Sequence, residues 1–561
     1  MKHFILSIFC LITICVTLSA KPAKRIVTNL VQPDGSTIKA ITAGDEFLHY
    51  YIDFNTGKRL KKDNEGFWKR MSSSEIMQQN ELVKQEKLKR KPAKVTDGGL
   101  ASFGDNSHIL LLVEFSNHKF SRIGTKQQFE DFANGENYTF QGATGSVKQY
   151  FKDQSLNQYN PTFDVIGPVC VDSTYQYYGT KDQRMQELVA SAVEKAHKQG
   201  LISDFSKYDN DKDGFVDLVY VITAGYSEAD SPTDNGEWPW PHQWSLKQPT
   251  AYDNVNVYTY AFSTELQGSM KKANPVFDGI GSMAHEFGHA LGLPDMYNTG
   301  DEPNCYGMDY WDVMDAGCYN NEGYTPPSYT AHERDFLGWC KLDTLPENEE
   351  VTLEPFGKGN KAYVLYNPDN KDEYLTFEYH TQDGSWDQYW GGYGLHGILV
   401  IHTYYDEDTW YYNNVNTDPE HQHCTVVPAD NELLAHDRYS SGVVTGDEWY
   451  HNFVSDIFPG EQNIAKLNTI ENQHYRWFDG PTIMSKIQDI REAEDFSKIT
   501  FTVKTKKFGE LEAIELVQSG NSIQGVYNLN GNYICNSMES VTEQGIYIIK
   551  YTNGESVIYR K

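Results

Sequence analysis

Gly281-Ser-Met-Ala-His285-Glu286-Phe-Gly-His289-Ala-Leu-Gly292-Leu-Pro-Asp295 is the stretch on which the reading of this 561-residue chain turns. His285 and His289 are four apart, so on a helix they lie on one face, one above the other, and can share a tetrahedral ion. Glu286 projects beside them, where it can take a proton from a water held by that ion. Gly292 lets the backbone leave the helix through a conformation that a side chain would oppose, and Asp295 then returns as a third ligand. A fourth coordination position is left for water. Ile280, Met283, Ala284, Phe287, Ala290 and Leu291 supply the apolar face that makes the segment an amphipathic helix.

These residues resemble the immune inhibitor A family of secreted zinc metallopeptidases, within the wider metzincin-like group whose zinc helix ends at a glycine followed by a third ligand. Further along, Tyr310-Trp-Asp-Val-Met314-Asp-Ala-Gly317 resembles the turn that lies beneath the metal in that group, which would make Met314 an apolar floor. Gly145-Ser-Val-Lys-Gln-Tyr-Phe151, Trp240-Pro-His-Gln-Trp244 and Asp209-Asn-Asp-Lys-Asp-Gly-Phe-Val-Asp217 are similar to the same family. The resemblance implies a secreted zinc endopeptidase. In it His285, His289 and Asp295 bind the catalytic Zn2+, Glu286 is the general base for attack of a zinc-bound water, and protein or peptide chains are the substrates. Tyr319, five residues past Met314, is a candidate hydrogen-bond donor to the oxyanion. A different class of reading is a cell-surface adhesin or glycan-binding protein on an inactive peptidase scaffold. The intact Glu286 speaks against it, because a binding module has no use for a general base beside two ligands. A thiol hydrolase built on Cys424, near His421 and His423, would leave the 281–295 segment unexplained.

A chain this long holds several units. Residues 1–20 carry Lys2 and His3, an apolar run from Phe4 to Leu18, and Ser19-Ala20, the pattern of a signal peptide. Residues 21–97 read as a propeptide with strand-like runs, ending in a basic linker at Lys84, Lys87, Lys89, Arg90, Lys91 and Lys94 where processing is expected. No cysteine lies there, so a thiolate cannot mask the metal; a carboxylate such as Asp34, Asp45 or Asp53 would have to do so. Residues 98–345 form the α/β (α+β) metzincin-like catalytic domain, with buried strands at 109–115 and 217–225 and a helix over 181–199 ending at Gly200. Residues 346–505, rich in tyrosine, tryptophan and short alternating runs, read as a β-sandwich. In residues 506–561, Gly525-Val-Tyr-Asn-Leu-Asn-Gly531 and Gly545-Ile-Tyr-Ile-Ile-Lys-Tyr551 resemble the C-terminal sorting domain of Bacteroidetes secretion substrates, a small β-sandwich, which implies an outer-membrane secretion machinery as partner and a secreted or cell-surface location.

The formal net charge of −30 excludes the basic face that nucleic-acid binding needs, and suits an exported, soluble monomer that holds calcium. Asp209, Asp211, Asp213 and Asp217 around Gly214 match the first part of a calcium loop. Tyr220 stands where an EF-hand has its bidentate glutamate, so a structural Ca2+ site, not a switch, is expected. Of eight cysteines, Cys305 and Cys318, which flank the 310–317 turn, are the expected disulfide.

Overall fold

The computed structural model describes residues 20–89, 100–180, 184–231, 238–268, 275–300, 305–382, 385–435, 446–505, 523–528, 531–541, 546–552 and 556–560. The apolar leader, the end of the basic linker from residue 90 and much of the C-terminal unit lie outside the described residues.

Turns at Pro33-Asp-Gly35 and Asn55-Thr-Gly57 fold the N-terminal unit into an antiparallel meander of β1 (Val27–Val31), β2 (Thr37–Asp45), β3 (Leu48–Asp53), β4 (Arg59–Lys62) and β5 (Trp68–Arg70). Its core is small: Leu30, Ala40, Tyr51 and Leu60. The polar stretch after it is not an extended linker but helix α1 (Ser73–Lys89), whose residues are nearly all helix formers and so need no apolar stripe to stay helical.

The next unit is built on a mixed sheet of order β11-β10-β8-β6-β7, with β9 also paired to β10. Here β6 is Gly104–Glu114, β7 Tyr159–Cys170, β8 Val219–Tyr226, β9 His242–Tyr252, β10 Val255–Gln267 and β11 Val276–Phe277. β6, β7, β8 and β10 run parallel, and the centre of β6 is a continuous run of buried residues, as a strand covered on both faces must be. Its side chains alternate between two cores. Leu110 and Leu112 join Phe287 and Met283, while Ile109, Leu111 and Val113 join Leu188, Ala192 and Val193. Those last three lie on α5 (Met185–Lys198), which follows α2 (Lys126–Asn134), α3 (Val147–Gln154) and α4 (Tyr175–Gly179). The helix under Leu110 and Leu112 is α6 (Ile280–Ala290). Every expected element of this unit is present within a few residues of its sequence bounds. After α7 (Ala331–Phe336) the unit closes where the buried Trp339 returns its indole N–H to the Ser102 carbonyl, 2.7 Å away.

Beyond residue 342 two sheets share one core. One, in the order β12-β14-β15-β16-β17, comprises β12 (Asp343–Thr344), β14 (Tyr363–Tyr366), β15 (Glu373–His380), β16 (Gly397–Tyr404) and β17 (Cys424–Val426); the other, β13-β19-β18, comprises β13 (Glu350–Leu353), β18 (Ser485–Glu492) and β19 (Ile499–Thr505). Phe377 and Val400 of the first meet Phe501 and Ile487 of the second, the two-layer packing expected from their alternation. The C-terminal residues that are described form one four-stranded antiparallel sheet, not two.

The second unit is clamped to the first by a buried polar lock. Asp387 accepts from the Ser328 amide at 2.9 Å and from His380 Nδ1 at 2.8 Å, and Trp386 lies edge-on to Tyr150 while donating to Asp153 at 2.9 Å. Burial disfavours the charged imidazole, but Asp387 and Glu378 outweigh it and carry His380 up to about 9. Because that value is raised from 6.5, the pair's stabilisation is complete below about 6.5 and is lost as pH rises through about 9. Asp387→Asn should therefore cost about 3–5 kcal/mol at neutral pH, as breaking one side of a buried pair does. It should also flatten the fall in melting temperature between pH 7 and 10, which calorimetry would read.

Candidate metal centre

Helix α6 carries the site and is buried almost throughout. Its end is set by Gly292, at φ +102°, whose amide returns to the His289 carbonyl while the Leu293 amide reaches the Gly288 carbonyl at 3.1 Å. This is the left-handed termination that the sequence required, and it turns the chain so that Asp295 comes back under the helix. His285 Nε2 and His289 Nε2 lie 3.1 Å apart, and Asp295 Oδ1 is 3.1 and 3.2 Å from them.

Three atoms that close must be held together by something positive. The Nδ1 atoms of His285 and His289 each sit 2.8 Å from a backbone carbonyl, those of Val313 and Leu293, which can only accept. Each Nδ1 therefore carries hydrogen, and each neutral ring presents its Nε2 lone pair to the centre. Asp295 Oδ1 is buried and finds no donor there. Two nitrogen lone pairs and a carboxylate oxygen converging without a donor form a cation site, and the donor set suits zinc. Burial opposes charge on both rings. It leaves His285 below its ordinary value, whereas Asp295 carries His289 above its own, and against the same burial the two rings hold the Asp295 carboxyl far below the carboxylate range.

The floor is Met314, fully buried. A Cβ on Gly288 would meet its sulfur at 2.7 Å, so glycine between the two histidines is what lets the turn press against the helix. Val313, next to Met314, supplies the carbonyl that orients His285. Two buried groups near the site escaped the sequence reading. Asn413, on a turn of the second unit, accepts from the Asp295 amide at 2.7 Å and donates to Asp295 Oδ2 at 2.6 Å, leaving Oδ1 for the ion. Its sequence, Tyr412-Asn-Asn-Val, reads only as a turn. Tyr297, two residues beyond Asp295, points its hydroxyl at the Ala20 carbonyl, 2.6 Å away.

That carbonyl belongs to the N-terminal unit, which enters the cleft. The Lys21 amide donates to Glu286 Oε1 at 3.0 Å, the Trp240 indole donates to the Lys21 carbonyl at 2.9 Å, and Tyr319 donates to the Pro22 carbonyl at 2.6 Å. Tyr319 thus reaches the cleft but sits two residues away from the carbonyl that Tyr297 addresses. Burial pushes Glu286 up to about 8. The three carboxylates considered for masking each have local partners. Asp34 binds Ser36, Asp45 accepts from the Phe47 and Leu48 amides, and Asp53 holds its own turn and Arg70.

The second cluster is partly as expected. Carboxylate oxygens of Asp209, Asp211 and Asp217 lie within 4.8 Å of one another, with Asp209 Oδ1 buried and without a donor. Asp213 stands outside this group and accepts from the Phe215 amide at 2.8 Å, because Gly214, at φ +92°, turns the chain there. Both Asp217 oxygens are engaged by Asn210, and burial pushes that carboxyl up to about 6. The expected disulfide is not formed: Cys318 keeps a free thiol, raised well above its ordinary value by burial. The same cause makes Cys424 a poor nucleophile.

Residues 100–340 match the catalytic domain of immune inhibitor A peptidase M6. This part of the chain belongs to that family. Immune inhibitor A of Bacillus thuringiensis subsp. alesti is 27% identical over 290 residues, covering 45% of this chain and 42% of that protein. The pre-pro-metalloprotease PrtV of Vibrio cholerae serotype O1 is 24% identical over 244 residues, 38% of this chain and 26% of the relative. The chain thus spans less than half the length of the curated relatives it matches. The match takes in all three converging donors and Glu286 but stops short of Asn413. Replacing Asn413 with leucine should weaken zinc retention about 10–100-fold in a chelator competition, as loss of a group that orients a ligand does.

Proposed function

We propose that this chain is a zinc-dependent endopeptidase, exported and latent until its N-terminal segment leaves the cleft. The observation that carries the reading is the Ala20–Lys21 peptide group, whose N–H rests on Glu286 and whose carbonyl rests on Tyr297 beside the converging donors. A peptide bond lies where a peptide bond would be cut, and once the leader at 1–20 is removed, Lys21 and Pro22 remain in the cleft as the leaving side, held through Trp240, Tyr319 and the Lys21 side chain. His285, His289 and Asp295 would hold the metal, which when bound supplies Lewis acidity to a water and to the substrate carbonyl. Glu286 takes the proton released in the attack and hands it to the departing nitrogen, the position that the Lys21 amide marks at 3.0 Å. Tyr297 donates to the carbonyl oxygen as it gains charge; burial raises its hydroxyl well above the ordinary value, so it stays protonated and able to donate. Tyr319, which donates to the Pro22 carbonyl, holds the substrate backbone on the leaving side.

Latency follows from the same contacts, since a chain in the cleft excludes substrate and covers Glu286. Among the described residues no helix is long and apolar enough to cross a membrane, which fits export through the leader at 1–20. The C-terminal sheet serves as the sorting signal for the outer-membrane machinery, a reading supported by the Gly525–Gly531 and Gly545–Tyr551 motifs. Asp209, Asp211 and Asp217 hold a structural calcium, supported by their convergence and by the unpartnered Asp209 oxygen.

Two measurements test these readings. In the full chain carrying Lys21→Ala to loosen the segment, casein hydrolysis should appear, and adding Glu286→Ala should lower it about 10²–10⁴-fold with zinc content unchanged. Hydrolysis that survives Glu286→Ala ends the assignment. Millimolar calcium should raise the melting temperature of the wild-type chain by several degrees, roughly as 1–2 kcal/mol does, and leave the Asp209→Ala, Asp211→Ala double variant unmoved.

A further inference from the structure

The side chain of Lys21 is wholly buried, an unusual place for an ammonium group. It runs from the cleft into a pocket of the catalytic unit, where Nζ lies 3.1 and 3.0 Å from the two oxygens of Asp230 and 2.7 Å from Ser282 Oγ. These three acceptors match the three hydrogens of an ammonium. The Tyr319 ring covers it, with Nζ 5.1 Å from the ring centroid. Behind Ser282 lies Asp278, buried and with one carboxylate oxygen lacking a donor. Ser282 precedes Glu286 by one turn of α6, so the pocket opens directly beside the general base.

Empty of a cation, this pocket would hold two buried carboxylates without a counter-charge, which is strongly unfavourable. It is therefore built to be filled by a positive side chain, and the Lys21 nitrogen on Glu286 identifies which one. The filling residue is the one whose nitrogen departs when the bond is cut. Resting on the peptidase reading above, we propose that the Asp230–Ser282–Asp278 pocket selects substrates with lysine immediately after the cleaved bond. The bond that breaks joins the preceding carbonyl to the lysine nitrogen; water gives its hydroxyl to the carbonyl and a hydrogen to the nitrogen. Arginine is disfavoured, because the lysine Nζ already lies within hydrogen-bond distance of Asp230 and Ser282, and a planar guanidinium is larger than the ammonium seated there. The net charge of −30 adds a long-range pull on lysine-rich chains. The N-terminal segment thereby inhibits by presenting the enzyme's preferred residue in the substrate direction.

Binding and cleavage separate the two layers of this proposal. Both use the full chain with Lys21→Ala, zinc-loaded, and the peptide Ala-Lys-Pro-Ala-Lys-Arg against versions with norleucine or arginine at its second position. The lysine peptide should bind on the order of 30-fold tighter than the norleucine one, as expected when a buried charge is left unpaired, with arginine well below lysine. Asp230→Asn should collapse that ratio, and Asp278→Asn, the second variant should the first fail to fold, should reduce it. Peptides from a denatured protein digest should show lysine enriched after the cut, judged by mass spectrometry. Equal binding of the norleucine and lysine peptides overturns the pocket whatever the chain cleaves. Lysine-selective binding with no peptide cut at all overturns the peptidase reading and leaves a lysine-binding cleft.

Discussion

Two imidazole lone pairs and one carboxylate oxygen are held within about 3 Å of one another in a dry interior, and much of the catalytic unit is arranged to hold them there. Left alone these atoms repel, so each is pinned from behind: His285 by the Val313 carbonyl, His289 by the Leu293 carbonyl, Asp295 by Asn413. The helix that carries the rings is pinned in turn by Met314 against Gly288 on one side and by the central sheet on the other.

The sequence made the first layer of the site legible because a helix repeats every 3.6 residues and a glycine with positive φ has few alternatives. His285, Glu286, His289, Gly292 and Asp295 follow from those two facts. The strands at 109–115 and 217–225 and the 181–199 helix were legible for the same kind of reason, strong periodicity over a long run. What stayed hidden depended on contacts between distant segments. Asn413 is 118 residues from Asp295, and Asp230 is 209 residues from Lys21; no local pattern announces either. Asp213 lies outside the converging group of Asp209, Asp211 and Asp217 and accepts from the Phe215 amide beside Gly214, a local turn geometry that the spacing of aspartates alone does not reveal. The proposed disulfide failed because sequence proximity to a turn says nothing about whether two thiols face each other.

The cleft is also polarised along its length. Tyr297 meets the carbonyl of the peptide group at Glu286, Trp240 and Tyr319 meet the next two carbonyls along the segment, and Asp230 and Ser282 meet the lysine side chain between them. A chain bound in the opposite direction would bring amide hydrogens against donors. Directionality is therefore a property of the wall chemistry, set before any substrate arrives.

Asn413 has a wider meaning than its two hydrogen bonds. It is supplied by the part of the chain that lies outside the family match, yet it fixes the last ligand of the metal centre. Ion affinity and the docking of the β-rich unit are then two sides of one equilibrium: whatever tightens one tightens the other by the same factor. An ion held by these residues would act as a rivet through two plates, and its loss would loosen the seam.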